Sequence, residues 1–315
     1  MKKLTILFLG ALLTFAGCES QDGTISGTQE STERSASKKI IVVASFYPLA
    51  EFARNVGGDR VEVFTVTPPG AEPHEYEPTA KDIVRVRESG IFLLNGGGQD
   101  AWAEKIQNEL KQKGIIVLNM SEQIEYVKNE GEEEHDGEEH EFDPHVWLDP
   151  VLASREVEAI RDALIQADPT HEDTYREEAS EYTSKIAALD MEFRAGLSVC
   201  KRKEFITAHR AFGYLASRYG LDQIAISGIS TEEEPSAKQI GEISDLAKEK
   251  GIKYIFFETL VSPKLSETIA TEIGAQTMVL NPIEGLTGTE VAAGQNYVTL
   301  MQDNLKNLRT ALECD

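Results

Sequence analysis

Six histidines stand in this chain of 315 residues, and three of them share a place in the pattern. His74 lies in Pro68-Pro69-Gly70-Ala71-Glu72-Pro73-His74-Glu75-Tyr76-Glu77-Pro78, and His145 in Asp143-Pro144-His145-Val146-Trp147-Leu148-Asp149-Pro150. His209 directly follows the apolar stretch 205–208. Each stands in a loop or at a helix start just after a short apolar run that reads as a β-strand. Neutral imidazole is a good ligand for zinc and other borderline metals. Three imidazoles and one carboxylate would complete a tetrahedron around Zn²⁺. The prolines beside His74 and His145 stiffen their loops, so less entropy is lost on binding. A lone loop histidine is more often a surface residue, but three in corresponding positions point to a shared ligand. For the fourth position, Glu258 closes the run 254–257 and Glu284 lies just past 277–280. Position alone leaves both open.

Other chemistries lack support. The sequence contains no GxSxG elbow, P-loop, GxGxxG fingerprint or HExxH pair. Gly96-Gly97-Gly98 follows an apolar run but matches no phosphate loop, and reads as a tight turn.

The elements that must position these residues alternate. Strands are expected at 40–44, 61–67, 91–94 and 115–118, with helices at 48–56, 79–88 and 101–113. After an interruption, strands are expected at 205–208, 224–226, 254–257 and 277–280. Helices are expected at 211–219, 236–250, 263–273 and 291–312. This alternation predicts an α/β fold with two halves, each a mostly parallel sheet covered by helices. Ligands in such sheets bind beyond the carboxyl ends of the strands, and two halves place that zone in a cleft. Between the halves, 151–167 reads as a helix. Asp168 and Pro169 read as the cap and first residue of a second helix reaching about 197. Tyr175, Ala179, Tyr182, Ile186, Leu189, Phe193 and Leu197 recur at steps of three and four along it. The expected domains are a first lobe over 39–168, a linking spine helix over 169–197, and a second lobe over 198–315.

Composition narrows the partners. The formal net charge is −23, which argues against nucleic acid and anionic membranes, whose phosphates call for basic faces. At the N-terminus, Lys2 and Lys3 precede an apolar run that ends in Ala16-Gly17-Cys18. Positive charge, a short apolar core and small residues describe an export signal over 1–18, and the run is too short to span a membrane. The ending resembles a bacterial lipobox, with Phe15 where Leu is usual, so Cys18 is the expected lipidation site. Residues 19–38, rich in Ser, Thr, Gly, Gln and Glu, read as a flexible tether. The stretch 130–143 is mostly acidic, contains His135 and His140, and reads as a mobile loop with at most weak metal affinity. Cys200 and Cys314 remain for a possible disulfide, which an oxidising compartment would permit.

Taken together, the motifs Pro-Gly-Ala-Glu-Pro-His74-Glu-Tyr-Glu-Pro, Asp-Pro-His145-Val-Trp-Leu-Asp-Pro and Ala208-His209-Arg-Ala-Phe-Gly-Tyr resemble a known family. So do Gly228-Ile-Ser, Phe257-Glu258, Asn281-Pro-Ile-Glu284-Gly-Leu and Tyr297-Val-Thr-Leu-Met-Gln-Asp-Asn-Leu. The family is that of the metal-binding solute-binding lipoproteins of bacterial ABC importers, zinc branch, and the likeness runs from about Lys39 to Leu312. It implies two α/β lobes joined by one rigid helix, with metal held between them. It also implies His74, His145 and His209 as ligands, and Glu284 rather than Glu258 as the fourth. Manganese-type relatives tend to carry a carboxylate in place of the third His, so His209 favours zinc. Arg210 departs from the smaller or acidic residue usual after that His.

The resulting expectation is a non-enzymatic, monomeric, extracytoplasmic receptor. It would be lipid-anchored to the cell membrane and would deliver Zn²⁺ to an importer permease. Manganese or iron receptor, surface adhesin and zinc hydrolase are the rival readings.

Overall fold

A computed structural model describes residues 39–126, 142–231 and 235–315. The first half begins β1 (Ile40–Ala44), α1 (Tyr47–Gly57), β2 (Val61–Thr65), α2 (Ala80–Arg87), β3 (Ile91–Leu94), α3 (Ala101–Gln112) and β4 (Ile116–Asn119). Then come α4 (Pro150–Ala167) and α5 (Glu172–Gly196). The second half runs β5 (Glu204–Thr207), α6 (Gly213–Tyr219), β6 (Asp222–Ala225), α7 (Ala237–Lys250), β7 (Tyr254–Phe257), α8 (Lys264–Ile273) and β8 (Gln276–Val279). It closes with α9 (Gly288–Ala292) and α10 (Tyr297–Leu312).

The strand orders are β2-β1-β3-β4 and β6-β5-β7-β8, and every pairing is parallel. The expected α/β fold with two parallel sheets is therefore the observed one. β3 (IFLL) is buried along its whole length, as a strand covered on both faces must be. The orders match, so each sheet reverses direction beside its first strand, which opens a crevice at the carboxyl ends.

α5 spans roughly 37 Å at 1.5 Å per residue. Tyr175, Ala179, Tyr182, Ile186, Leu189 and Phe193 form its buried stripe. The helix packs on α1 and α4 of one half and on α10 of the other. Its start differs from expectation. Pro169–His171 forms a separate 3-10 turn, and Asp168 makes no cap bond to it. The Asp168 carboxylate instead accepts from His171 Nδ1 (2.5 Å) and the Tyr175 hydroxyl (3.1 Å), so those side chains compete successfully for it.

The single closing helix expected over 291–312 is two. Gly294 takes φ +69, and Asn296 starts α10 with a capping box to Thr299. The apolar periodicity hid that break, although the Gly and Asn signals were present. The glycine run 96–98 is a turn, with all three residues at positive φ. At Gly96 a Cβ would lie 2.3 Å from Asn119 Oδ1, so only glycine lets the chain pass.

Cys200 and Cys314 are joined by a disulfide, where the chain also forms an isolated antiparallel bridge. It fastens the end of the spine to the end of α10, closing a loop of 114 residues. Replacing both cysteines by serine should lower the unfolding free energy by about 2–5 kcal/mol while leaving the secondary structure intact. Urea melts read by circular dichroism would measure it; unchanged midpoints would refute a stabilising bridge.

Candidate metal centre

The His74 loop leaves β2 and is set by its own backbone. Glu72 accepts the amide N–H of His74 (3.2 Å) and of Glu75 (3.1 Å), which folds the turn around its carboxylate. Burial, and then the nearness of Glu284, push the Glu72 carboxyl up to about 8. Gly70, at φ +86, donates its N–H to the Leu286 carbonyl across the cleft (2.8 Å).

His145 sits in the turn before α4. Asp143 accepts both its backbone N–H (3.0 Å) and its Nδ1 (2.8 Å). One short Asp-Pro-His motif thereby fixes both the turn and the ring. The expected mobile stretch ended at residue 143, but Phe142 packs beside Tyr126, Val146 and Tyr214, and Asp143 is buried. Its bond to the ring is the reason Asp143 belongs to the site rather than to the loop. Trp147 Nε1 donates to the Pro282 carbonyl (2.7 Å) and the Tyr297 hydroxyl to the Trp147 carbonyl (2.6 Å). The His145 turn is thus bound to the second half of the molecule.

His209 follows β5. Glu258, at the end of the neighbouring β7, accepts its backbone N–H (3.1 Å) and its Nδ1 (2.7 Å). Glu258 therefore stands behind the ring.

Glu284 follows β8 in a strained turn. Ile283 takes φ +59, unusual for a β-branched residue. Asn281 Oδ1 accepts the Ile283 N–H (2.8 Å), and Asn304 holds Asn281 through both backbone groups (2.8 and 2.6 Å). This lock aims the Glu284 carboxylate into the cleft.

The four side chains converge. Their donor atoms all lie within 4.8 Å of one another. His145 Nε2 is 3.3 Å from the Nε2 atoms of His74 and His209, and Glu284 Oε1 is 3.2, 3.1 and 3.6 Å from His74, His145 and His209. A zinc tetrahedron with bonds of about 2.0–2.1 Å has edges near 3.3 Å, so these five separations suit that ion. The rings of His145 and His209 and the Glu284 carboxylate are all at most 1% exposed, and His74 is 3% exposed.

The electrostatics of the cluster follow from burial and pairing. Burial holds His74 down to about 4, against the pull of Glu284. At His145 burial also opposes the charge, but Asp143 and Glu284 outweigh it and raise the ring above its ordinary value. At His209 Glu258 and Glu284 overcome burial by more, and hold the ring well above that value. Burial alone would raise Glu284; hydrogen bonds from His145, His209 and His74 hold it well below the usual carboxylate range.

Sequence reasoning missed two things. Asp143 and Glu258 orient the rings, a signal available in the rule that a metal-binding His normally donates its other nitrogen to a carboxylate. The pairing of Arg218, on α6, with Asp149, just before α4, joins residues 69 apart and carried no local signal. Cys18, His135 and His140 lie outside the described residues, as do the expected signal and tether segments, 1–38. Among the described residues no helix is long and apolar enough to cross a membrane.

Two parallel α/β sheets with a buried cluster of three imidazoles and a carboxylate at their facing strand ends define the class of two-lobed binding proteins. The comparisons narrow the class. The chain matches the family described as zinc-uptake complex component A, periplasmic, over residues 42–311 and belongs to it. It is 40% identical to the zinc-binding lipoprotein AdcA of Streptococcus pneumoniae over 98% of its own length, but spans only 61% of that relative. It is 38% identical to the high-affinity zinc uptake system protein ZnuA of Bacillus subtilis, covering 99% of this chain and 98% of the relative. The crystal structure of Zn(II)-bound AdcA from S. pneumoniae superposes with TM-score 0.77 at 39% identity, over 88% of this chain and 58% of that one. The laminin-binding protein Lmb of Streptococcus agalactiae, described as bifunctional with adhesin and metal-transporting activity, gives 0.79 at 32% identity, over 87% and 100%.

Proposed function

We propose that this chain is a non-enzymatic extracytoplasmic receptor that captures Zn²⁺ and delivers it to an ABC importer. His74, His145, His209 and Glu284 are its ligands. The observation that carries the reading is the closed set of four buried donors, three of them nitrogen. Nitrogen-rich donors suit zinc, whereas manganese favours more oxygen. Four protein ligands leave no coordination position for an activated water, which is what a zinc hydrolase needs. Zinc is therefore cargo here. Family membership supports a place outside the cytoplasm, and Cys18 is the residue that would carry the anchoring lipid. A monomer suffices, because every ligand comes from one chain. The laminin-binding relative supports adhesion as a second reading, which binding to immobilised laminin would test.

The deciding experiment exposes the metal-stripped protein to equal zinc, manganese and iron, and reads retained metal by mass spectrometry. One zinc per chain is the expected result. Retained manganese or iron would move the protein to a sister specificity, and no retained metal would end the receptor reading.

A further inference from the structure

The His145 turn is gripped at both ends by one short helix that belongs to His209. That helix, α6, starts four residues after His209. Gly213 lets it approach closely: a Cβ there would lie 2.8 Å from Asp143 Oδ2, the carboxylate whose other oxygen holds His145 Nδ1. The next residue, Tyr214, donates its hydroxyl to the Asp143 carbonyl (2.8 Å). At the far end of the turn, Arg218 Nε lies 2.9 and 2.8 Å from the two Asp149 oxygens, and a terminal guanidinium nitrogen reaches Oδ2 at 2.6 Å. The Asp149 side chain is only 5% exposed and also caps α4 through the Val151 N–H (2.8 Å). The forked guanidinium–carboxylate pair is directional as well as strong.

We infer that α6 is a latch fixing the separation of His145 and His209, so that Arg218 and Gly213 are positioning residues that set the preference for zinc over manganese. This rests on the reading of the cluster as a zinc site. The two Nε2 atoms stand 3.3 Å apart, and each belongs to a segment that α6 either extends or grips. With that distance fixed, the nitrogens suit the short bonds of a four-coordinate ion. A site free to widen admits longer bonds and added water ligands, which larger, harder ions require. A latch therefore acts on selectivity, whereas a contact that merely stabilises the fold lowers the affinity for every metal alike.

The test uses Arg218→Met, Arg218→Lys and Gly213→Ala in the full chain, with Arg87→Met as control. Arg87, at the end of α2, pairs with Glu109 of α3 on the exposed surface of the first half and touches none of the four ligands. Cobalt(II) is the spectroscopic probe, because four-coordinate cobalt absorbs far more strongly in the visible than six-coordinate cobalt. Arg218→Met and Gly213→Ala should weaken zinc on the order of 10-fold, manganese by less than about 2-fold, and the cobalt band should fade. Arg218→Lys keeps the charge without the fork and should fall between. Should Arg218→Met fail to fold, Gly213→Ala and Arg218→Lys carry the same test. Equal losses for zinc and manganese with an unchanged cobalt band would overturn the latch. A wild-type chain that gives no four-coordinate cobalt spectrum would overturn the site itself, and the latch with it.

Discussion

Glu284→Gln should weaken zinc by more than about 100-fold, whereas Glu258→Gln should cost about 10-fold, near the low end of changes to groups behind a ligand. The two glutamates end neighbouring strands of one sheet, and their difference is geometric. Glu284 Oε1 faces the converging imidazole nitrogens at 3.1–3.6 Å. Glu258 faces the opposite nitrogen of His209 at 2.7 Å. A neutral amide at 284 keeps the shape but removes the one anionic donor, and amide oxygen is a poor partner for zinc beside three imidazoles. An amide at 258 can still accept from Nδ1–H, so the tautomer survives and only the basicity of the ring falls. Competition titration against a chromophoric chelator would measure both. A larger loss at 258 than at 284 would exchange their roles.

The sequence could separate these two residues only through the family resemblance. Strand-end position was legible for both, because a buried strand is a run of apolar residues and its end is visible. The direction a side chain takes beyond that end is set by the turn. At Glu284 the turn depends on Ile283 at φ +59, held by Asn281, which is itself held by Asn304 on α10. Twenty-three residues separate those two asparagines, so no local pattern announces the lock. His74 and His145 were legible from strand-end position and flanking prolines, whereas the roles of Glu72 and Asp143, each two residues before its histidine, are seen only in the turns they close. The spine helix was legible for the same reason, as its stripe is periodic. Its first turn was misread because Asp168 has two nearby side-chain donors that no propensity scale weighs.

Which contacts tie the halves together is the least local feature of all. Trp147 to Pro282, Tyr297 to Trp147 and Arg218 to Asp149 span between 69 and 150 residues of chain. They place His145, which precedes the spine in sequence, on the same support as His209 and Glu284. Three ligands thus share one framework, and His74 approaches from the first half with Gly70 bound to Leu286.

Zinc affinity should rise with pH by about 100-fold per unit through the range where His145 and His209 still carry protons, because each bound zinc must expel both. The sign follows from the pairing. Both rings are held above the ordinary imidazole value, His209 well above it, so each keeps its proton to a higher pH than a free imidazole would. Their carboxylate partners stabilise the fold below the unfolded value of about 6.5, and that contribution fades as pH rises through the folded values. His74, held down to about 4, is already neutral through that range and releases nothing; Glu284, held low, is already ionised. Where both rings are still protonated, these two imidazoles together release two protons per zinc. Below about pH 4, His74 also takes up a proton and the slope should steepen further. Calorimetry in buffers of differing ionisation enthalpy counts the protons directly, and chelator competition across pH gives the slope. A slope near zero, with no proton released, would mean the imidazoles are neutral before zinc arrives, and that Asp143 and Glu258 orient the rings without charging them.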